Sequence, residues 1–496
     1  MFDPTEIRRR LSAFTLLGEG DVGVLYDRDA LDLKPLGGEL AAVLGDVLAR
    51  SETLAEDAAE WADLATLIDQ VAALPGLDDL SGAVPRSRGP ARPVEPVRGR
   101  LFKLAISVAE TCNLACSYCY ANRGLFERPT GRLMPPDVAE RVVENALARF
   151  DVVQTVQFIG GEPTVNLPAV ERVCRTFARA VDAGRLRALP RFVITTNGLR
   201  PTTSLVELAH RYGLRPTVSL DGPREIHDGA RVGPDGSGSY DRIRAHIEEL
   251  RAADVPVEFE ATFSRLHLRA GMHLIDLCHW FRDELGERVL HAPPVSAGAY
   301  TPADLTLSME EQIAEYCAAA EWTVDNLLIR DDWMGHSFAA RVLQALATRS
   351  RSPSVCSAGR DLLCVAGDGA VYPCWMYIGE ADMRLGSFLE PAEGPWDWSR
   401  VAGLLGPGDL DAHADCRTCF ARGLCFGCRA ADFRATGDVS GKPACALTQG
   451  IIASVLLRIF SAPRPGERPP ASAADYLSRP PFGARLFGLT EGSAPA

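Results

Sequence analysis

No stretch of this 496-residue chain reaches the roughly 18 consecutive apolar residues of a membrane-spanning helix, so no segment is expected to cross a bilayer. The amino terminus, MFDPTEIRRRL, has no apolar core behind its charges and does not read as a secretory signal. Positive charge is not in excess either. With 52 Lys and Arg against 65 Asp and Glu, the formal net charge is −13, which argues against a nucleic-acid partner. The acidity bears on solubility, or on a basic peptide partner, more than on fold. What the chain does have is cysteine, 14 in all. Without an export signal, so many thiols suit metal or cluster binding in a reducing cytoplasm better than a disulfide framework. Length predicts two to four domains, and 47% apolar residues suffice for real cores.

The thiols are not scattered. Ala109–Gly124 reads AETCNLACSYCYANRG and holds Cys112, Cys116 and Cys119 as C-x3-C-x2-C. Three thiolates are one fewer than closes a tetrahedral zinc site or fully ligates a four-iron cluster, so one iron of a cube would stay open. Three packing cysteines or a partial zinc knuckle is the alternative. The fragment CNLACSYCY, with Tyr118 just before the last cysteine, resembles the signature of the radical S-adenosylmethionine (radical SAM) superfamily. The resemblance implies a [4Fe–4S] cluster on Cys112, Cys116 and Cys119 whose open iron chelates S-adenosyl-L-methionine. It also implies reductive cleavage of that cofactor to a 5′-deoxyadenosyl radical.

Read in order, the chain begins with a small module, residues 1–75. Phe14–Leu17, Val22–Tyr26 and Leu31–Leu36 read as short strands, and Gly38–Leu48 and Ala58–Leu74 as amphipathic helices. Strands followed by helices resemble the winged-helix-like peptide-recognition domain of ribosomal-peptide maturation enzymes, where a leader peptide adds a strand to the sheet edge. A generic α+β cap is the alternative. The face over Ser51–Gln70 carries six acids and no base, a solvated surface or one suited to a basic leader. Residues 76–100, with Pro85, Pro90, Pro93 and Pro96, read as an extended linker.

From Leu101 to residue 335, strands and helices alternate. Strands are expected at Leu101–Val108, Val152–Ile159, Arg191–Thr196, Pro216–Leu220, Val255–Phe263 and Arg288–Ala292. The helices expected between and after them are Pro136–Phe150, Leu167–Ala183, Ser204–Tyr212, Tyr240–Ala252, Gly271–Leu285 and Met309–Ile329. Six such units predict an α/β fold, a partial (β/α)6 TIM-type barrel with its chemistry at the carboxyl ends of the strands. The motifs fall at those ends: Gly160-Gly161-Glu162-Pro163, Thr195-Thr196-Asn197-Gly198, and Ser219-Leu220-Asp221-Gly222 followed by His227-Asp228 and Arg231. They match GGEP, TTNG and SLDG…HD…R of the same family. The resemblance implies cofactor contacts from Tyr118, Gly160, Gly161, Glu162, Pro163, Thr195, Asn197, Ser219 and Arg231. Asp221 and His227 suit capping and turn formation as well as direct contact. Cys174, Cys278 and Cys317 lie in helices and read as small core residues.

Residues 350–450 are rich in cysteine. Cys356, Gly369 and Cys374, then Cys416, Cys419, Cys425, Cys428 and Cys445, resemble the SPASM domain that follows radical SAM barrels in peptide-modifying enzymes. The one departure is two residues rather than three between Cys425 and Cys428. A pair of zinc sites is the alternative, since two C-x2-C pairs also have zinc-ribbon spacing. The resemblance implies two auxiliary [4Fe–4S] clusters, making three in all. The first would use Cys356, Cys374 and Cys428, with Cys364 placed to complete it, and the second Cys416, Cys419, Cys425 and Cys445. Residues 451–496 are expected to finish a helix and end in a proline-rich tail.

Over residues 100–450 the chain looks closest to thioether-forming peptide maturases, of the six-cysteine-peptide and quinohemoprotein amine dehydrogenase maturation type. That implies a peptide or small-protein substrate, probed through a leader, and an electron donor such as flavodoxin or ferredoxin. Carbon–carbon cross-linking, epimerisation or decarboxylation of a peptide stay open, as does a radical-inactive scaffold that delivers a peptide. Formylglycine formation on sulfatases is disfavoured. There an aspartate base follows the cysteine matching Cys374, and here Trp375 does.

Overall fold

The structure is a computed structural model. It describes residues 11, 14–18, 22–28, 31–55, 58–72, 99–126, 128–298, 300–330, 332–352, 354–390, 403, 405–406, 410, 412–442 and 444–461. Residues 76–98 of the linker expected over 76–100, and the tail beyond 461, lie outside the described residues, while Gly99 and Arg100 belong to the first barrel strand rather than to the linker.

Three antiparallel strands open the chain: β1 (Phe14–Leu17), β2 (Val22–Asp27) and β3 (Asp32–Gly37), in the order β1-β2-β3. Helices α1 (Gly38–Thr53) and α2 (Trp61–Ala72) follow. Alternation decides which side chains go where. Phe14, Leu25 and Leu36 pack under Ala41 and Leu44 of α1. Val24, Tyr26 and Leu33 point the other way and join a core that includes Leu424, Leu447, Ile451 and Val455. The module is therefore seated on the carboxyl-terminal helix rather than tethered beside it.

The central sheet has the order β14 (Gly386–Ser387), β13 (Ala370–Tyr372), β12 (Leu362–Val365), β4 (Gly99–Glu110), β6 (Phe150–Gly160), β7 (Arg191–Thr196), β8 (Arg215–Ser219) and β9 (Glu258–Glu260). Its parallel half consists of β4, β6, β7, β8 and β9. Short β5 (Arg132–Leu133) runs antiparallel to the end of β4. A sixth strand, β10 (Val289–Leu290), pairs with β11 (Gly335–His336), and bridges from Glu260 to His291 and Phe263 to Pro294 carry the curl on from β9. The helices are α3 (Pro136–Arg149), α4 (Leu167–Asp182), α5 (Thr203–Tyr212), α6 (Arg224–Ala230), α7 (Tyr240–Ala252), α8 (Arg265–Arg269), α9 (Leu274–Leu285), α10 (Met309–Leu328) and α11 (Ser337–Thr348). This is an α/β fold with a mixed, largely parallel sheet curled into a partial barrel, as expected. The fifth strand is shorter than expected, because Ala261 and Phe263 reach across to His291 and Pro293 by single bonds rather than a continuous ladder.

On the other flank, β12 (Leu362–Val365) lies parallel to β4, and the antiparallel strands β13 (Ala370–Tyr372) and β14 (Gly386–Ser387) extend it. The cysteine-rich region thus continues the barrel sheet. It goes on through α12 (Ala414–Thr418) and α13 (Arg429–Thr436) to α14 (Cys445–Ser461). No helix among the described residues is long and apolar enough to cross a membrane.

Alternation along the parallel strands separates two faces. Val156, Phe158, Phe192 and Ile194 are buried outward, where Phe192 meets Phe177 of α4 at 5.9 Å between ring centres. Thr155, Gln157, Arg191, Thr195, Thr217, Glu258 and Glu260 point inward and are only half-buried. A polar, partly open interior is the opposite of a filled TIM-barrel core. It leaves a lumen.

Candidate functional site

β4 runs straight into the loop of Cys112, Cys116 and Cys119, and backbone bonds hold that loop from two sides. Gly161 N–H donates to the Ala109 carbonyl at 2.7 Å, and Glu162 N–H to that of Thr111 at 2.9 Å. On the opposite side Ala115 and Ser117 donate to the carbonyls of Val232 and Ala230, at 2.7 and 2.9 Å. Such proximity explains the paired glycines. Gly160 sits at φ +151°, and a Cβ on Gly161 would lie 2.4 Å from the Thr111 oxygen.

Glu162 is fully enclosed and occupied by its neighbours. Its Oε1 accepts from Thr164 N–H (2.9 Å), Thr164 Oγ1 (2.5 Å) and Thr196 Oγ1 (2.7 Å), and its Oε2 from Asn197 N–H (2.7 Å). Burial raises its pKa, against hydrogen bonds that favour the charged form. The carboxylate therefore ties the GGEP turn to the TTNG turn. Asn197 continues the link, its Nδ2 donating to Asn113 Oδ1 at 2.9 Å and approaching Cys112 Sγ at 3.6 Å. Thr195 Oγ1 accepts from Gln157 on the neighbouring strand, along the lumen wall, at 3.1 Å.

The third motif builds a buried ionic knot. Arg231 Nε donates to Asp221 Oδ2 at 3.0 Å, the Tyr118 hydroxyl donates to the same oxygen, and Thr262 N–H reaches Oδ1 at 3.0 Å. The Arg231 guanidinium also lies over the Tyr118 ring, 5.5 Å from its centre. Burial opposes ionisation of Asp221, yet Arg231, His227 and the donated hydrogen bonds hold its carboxyl below the usual range. Among the described residues nothing accepts from the two terminal nitrogens of Arg231. His227 completes the knot. Its Nδ1 accepts from Asp221 N–H (3.3 Å) and its Nε2 bonds Ser239 Oγ (2.9 Å). Arg231 is thus brought against Tyr118 of the cysteine loop, while Asp221 and His227 serve as scaffold. Ser219 stands on the lumen wall, donating to Glu260 Oε1 at 3.0 Å.

The donor set fits an iron–sulfur cluster. Cys112, Cys116 and Cys119 are free thiols whose charges act on one another. Leu114 N–H points at Cys112 Sγ (3.4 Å) and Arg123 N–H at Cys119 Sγ (3.3 Å), as N–H groups do around thiolate ligands. Burial, then Glu162, pushes the Cys112 thiol up to about 12. Burial pushes Cys116 up to about 11, with Arg231 pulling the other way. Among the described residues no three His, Cys, Asp or Glu side chains close on one point as around a single ion. A cube takes its ligands at separate corners, so its cysteines stand apart.

The remaining cysteines sort into two groups. Cys374 is raised by burial and then by Cys356, with Cys428 also acting on it. Cys425 feels Cys419 and Cys416, and Cys445 feels Cys425 and Cys416. Donors accompany them. Ala358 N–H reaches Cys356 Sγ and Gln449 Nε2 reaches Cys419 Sγ, each at 3.4 Å, while Cys428 caps α13. Cys364 is fully buried on β12, opposite Tyr372, and feels Cys374 and Glu110 rather than Cys356 or Cys428. Cys174 and Cys278 are buried in α4 and α9, and Cys317 is half-buried in α10.

Sequence reasoning passed over several lumen residues. Glu260, partner of Ser219, carries no motif, though its place at the end of the fifth strand could have marked it. Lys103 is buried on β4, and burial, with Arg191, pulls its ammonium down to about 8. His291, at the end of β10, is exposed to the lumen and bonds Ser337 Oγ at 2.9 Å.

Residues 106–271 match the model described as the Radical SAM superfamily. The chain is 27% identical over 369 residues to the AdoMet-dependent heme synthase of Methanosarcina barkeri, covering 70% of this chain and 97% of that protein. It is 23% identical over 341 residues to the cysteine-type anaerobic sulfatase-maturating enzyme of Clostridium novyi, covering 66% and 88% respectively. Among solved structures, native anSMEcpe with bound AdoMet and Cp18Cys peptide superposes with a TM-score of 0.56 at 18% identity, covering 79% of this chain and 99% of that one. At that identity the likeness concerns the fold. The GGEP, TTNG and Arg231 elements all gather round the cysteine loop within the matched segment, and residues 106–271 of this chain are a radical SAM domain.

Proposed function

We propose that this chain is a radical SAM enzyme that modifies a peptide or small protein, forming thioether cross-links from a cysteine sulfur to a carbon. The observation that carries the reading is the placement of two cysteine systems on one sheet. One lies where β4 ends, and the other begins on β12 beside it. When bound, a cluster on Cys112, Cys116 and Cys119 with S-adenosylmethionine supplies a carbon-centred radical able to take a hydrogen atom from an unactivated carbon.

The chain's own residues bind, orient and exclude water. The free nitrogens of Arg231 suit a carboxylate, and the Ser219–Glu260 pair offers acceptor oxygens for a sugar diol. Glu162 holds together the two turns that would frame the amino end of the cofactor. The half-open lumen receives the substrate, and Trp375, half-buried after Cys374, leaves no carboxylate base at that point. Cys356, Cys364, Cys374 and Cys428 would hold the first auxiliary cluster, and Cys416, Cys419, Cys425 and Cys445 the second. The edges of the β1-β2-β3 sheet suit an added leader strand, although Pro35 withholds one donor from β3. Flavodoxin or ferredoxin in the cytoplasm is the proposed electron source.

The test is co-expression with the peptide encoded by a neighbouring short reading frame, followed by mass spectrometry. Each thioether removes the mass of two hydrogens and blocks one thiol from alkylation. Loss of the same mass with every thiol still alkylated would favour a carbon–carbon link. An unchanged mass, with chirality altered on hydrolysis, would favour epimerisation.

A further inference from the structure

Lys103 is 6% exposed, on the inner face of β4. Among the described residues its ammonium makes neither a hydrogen bond nor an ion pair. Its cationic neighbour Arg191 is already paired with Glu258 at 2.9 Å, and Glu260, bonded by the neutral Ser219, lies beyond ion-pair distance of Lys103. A buried ammonium without a counter-charge is strongly disfavoured, so an anion belongs near it.

The sheet register indicates which one. Lys103 pairs with Leu362 on β12, and Cys364 pairs with both Ala105 and Tyr372. Continuing the antiparallel β12–β13 register by two residues sets Cys374 opposite Leu362. Lys103, Leu362 and Cys374 then form one row across three strands, their side chains on one face. Two strand spacings amount to about 10 Å between the outer backbones, a gap that a lysine stem narrows. Cys374 is itself 8% exposed, so little water intervenes to screen the pair.

We propose that Lys103 is the counter-cation of the auxiliary cluster anchored by Cys374 and raises that cluster's reduction potential. The inference rests on the auxiliary-cluster reading given above. A thiolate-ligated cluster is anionic and gains negative charge on reduction, so a nearby fixed cation favours its reduced form. Lys103 is in this sense a positioning charge rather than a catalytic residue.

The experiment uses the full-length protein with its clusters reconstituted anaerobically, as wild type, Lys103→Met and Lys103→Arg. Iron is counted, and each cluster's midpoint is read by redox titration with electron paramagnetic resonance. One auxiliary signal should move to a more negative potential in Lys103→Met and stay near wild type in Lys103→Arg. The signal that responds to added S-adenosylmethionine should not move. Loss of one cluster's iron from the Met variant alone would also support the proposal, because the cation would then be needed to retain the cluster. An unmoved auxiliary midpoint, equal shifts in all signals, or an Arg variant shifted as far as the Met variant would overturn it. Failure of the underlying reading looks different: the wild type would then hold about four irons per chain rather than about twelve.

Discussion

Arg231 Nε donates to Asp221 Oδ2 at 3.0 Å, and both side chains are buried beneath the cysteine loop. One carboxylate thereby satisfies the guanidinium, the Tyr118 hydroxyl and the Thr262 amide together. Removing its charge strands the arginine. Asp221→Asn should cost about 3–5 kcal/mol of stability, the range for breaking a buried pair by deleting one partner. Denaturant unfolding of the variant measures it. A loss below about 1 kcal/mol, the range of an exposed pair, would mean that the knot is solvated.

His227 makes the same region sensitive to pH. Burial drives its pKa down to about 4 from an ordinary 6.5, with Asp221 working the other way. Protonation would also break the bond that Nδ1 accepts from Asp221 N–H. Between about pH 6.5 and 4 the unfolded chain binds a proton that the folded chain refuses, so stability falls as pH is lowered through that window. The loss should approach about 3 kcal/mol at its lower end. His227→Gln should flatten this part of the stability–pH curve, and an unchanged slope in the variant would count against it.

In the proposed reading, Cys364 decides how the first auxiliary cluster would be closed. It faces the same side of the sheet as Cys374, one row along, but within a fully buried strand. If it is the fourth ligand, Cys364→Ala lowers iron content and weakens that cluster's signal. Unchanged iron, with a spectrum that shifts when substrate is added, would instead give the cluster an open corner for a substrate sulfur.

Much of the barrel was legible because local pattern and motif agree. Arg191–Thr196 and Tyr240–Ala252 have the expected bounds, and each motif turn ends a strand. Two features were not legible. Leu362–Val365 is buried at every position, so it has no period-two signal, and its pairing with β4 depends on residues some 260 positions away in sequence. The seat of Val24, Tyr26 and Leu33 on α14 is equally non-local. At the site, the motifs by themselves suggest cofactor contacts, whereas Glu162 is taken up by four protein donors. Residue type marks the turn, but only the fold shows which partners occupy it. Lys103 and Glu260 escaped notice because inward polar residues on a strand look like ordinary alternation.

The most direct test of the whole account compares the reconstituted wild type with a variant carrying alanine at Cys112, Cys116 and Cys119. Iron and 5′-deoxyadenosine are measured after reduction in the presence of S-adenosylmethionine. The variant should lose about four irons and all 5′-deoxyadenosine formation while keeping the iron of the carboxyl-terminal cysteines. Continued formation of 5′-deoxyadenosine by the triple variant would contradict the account.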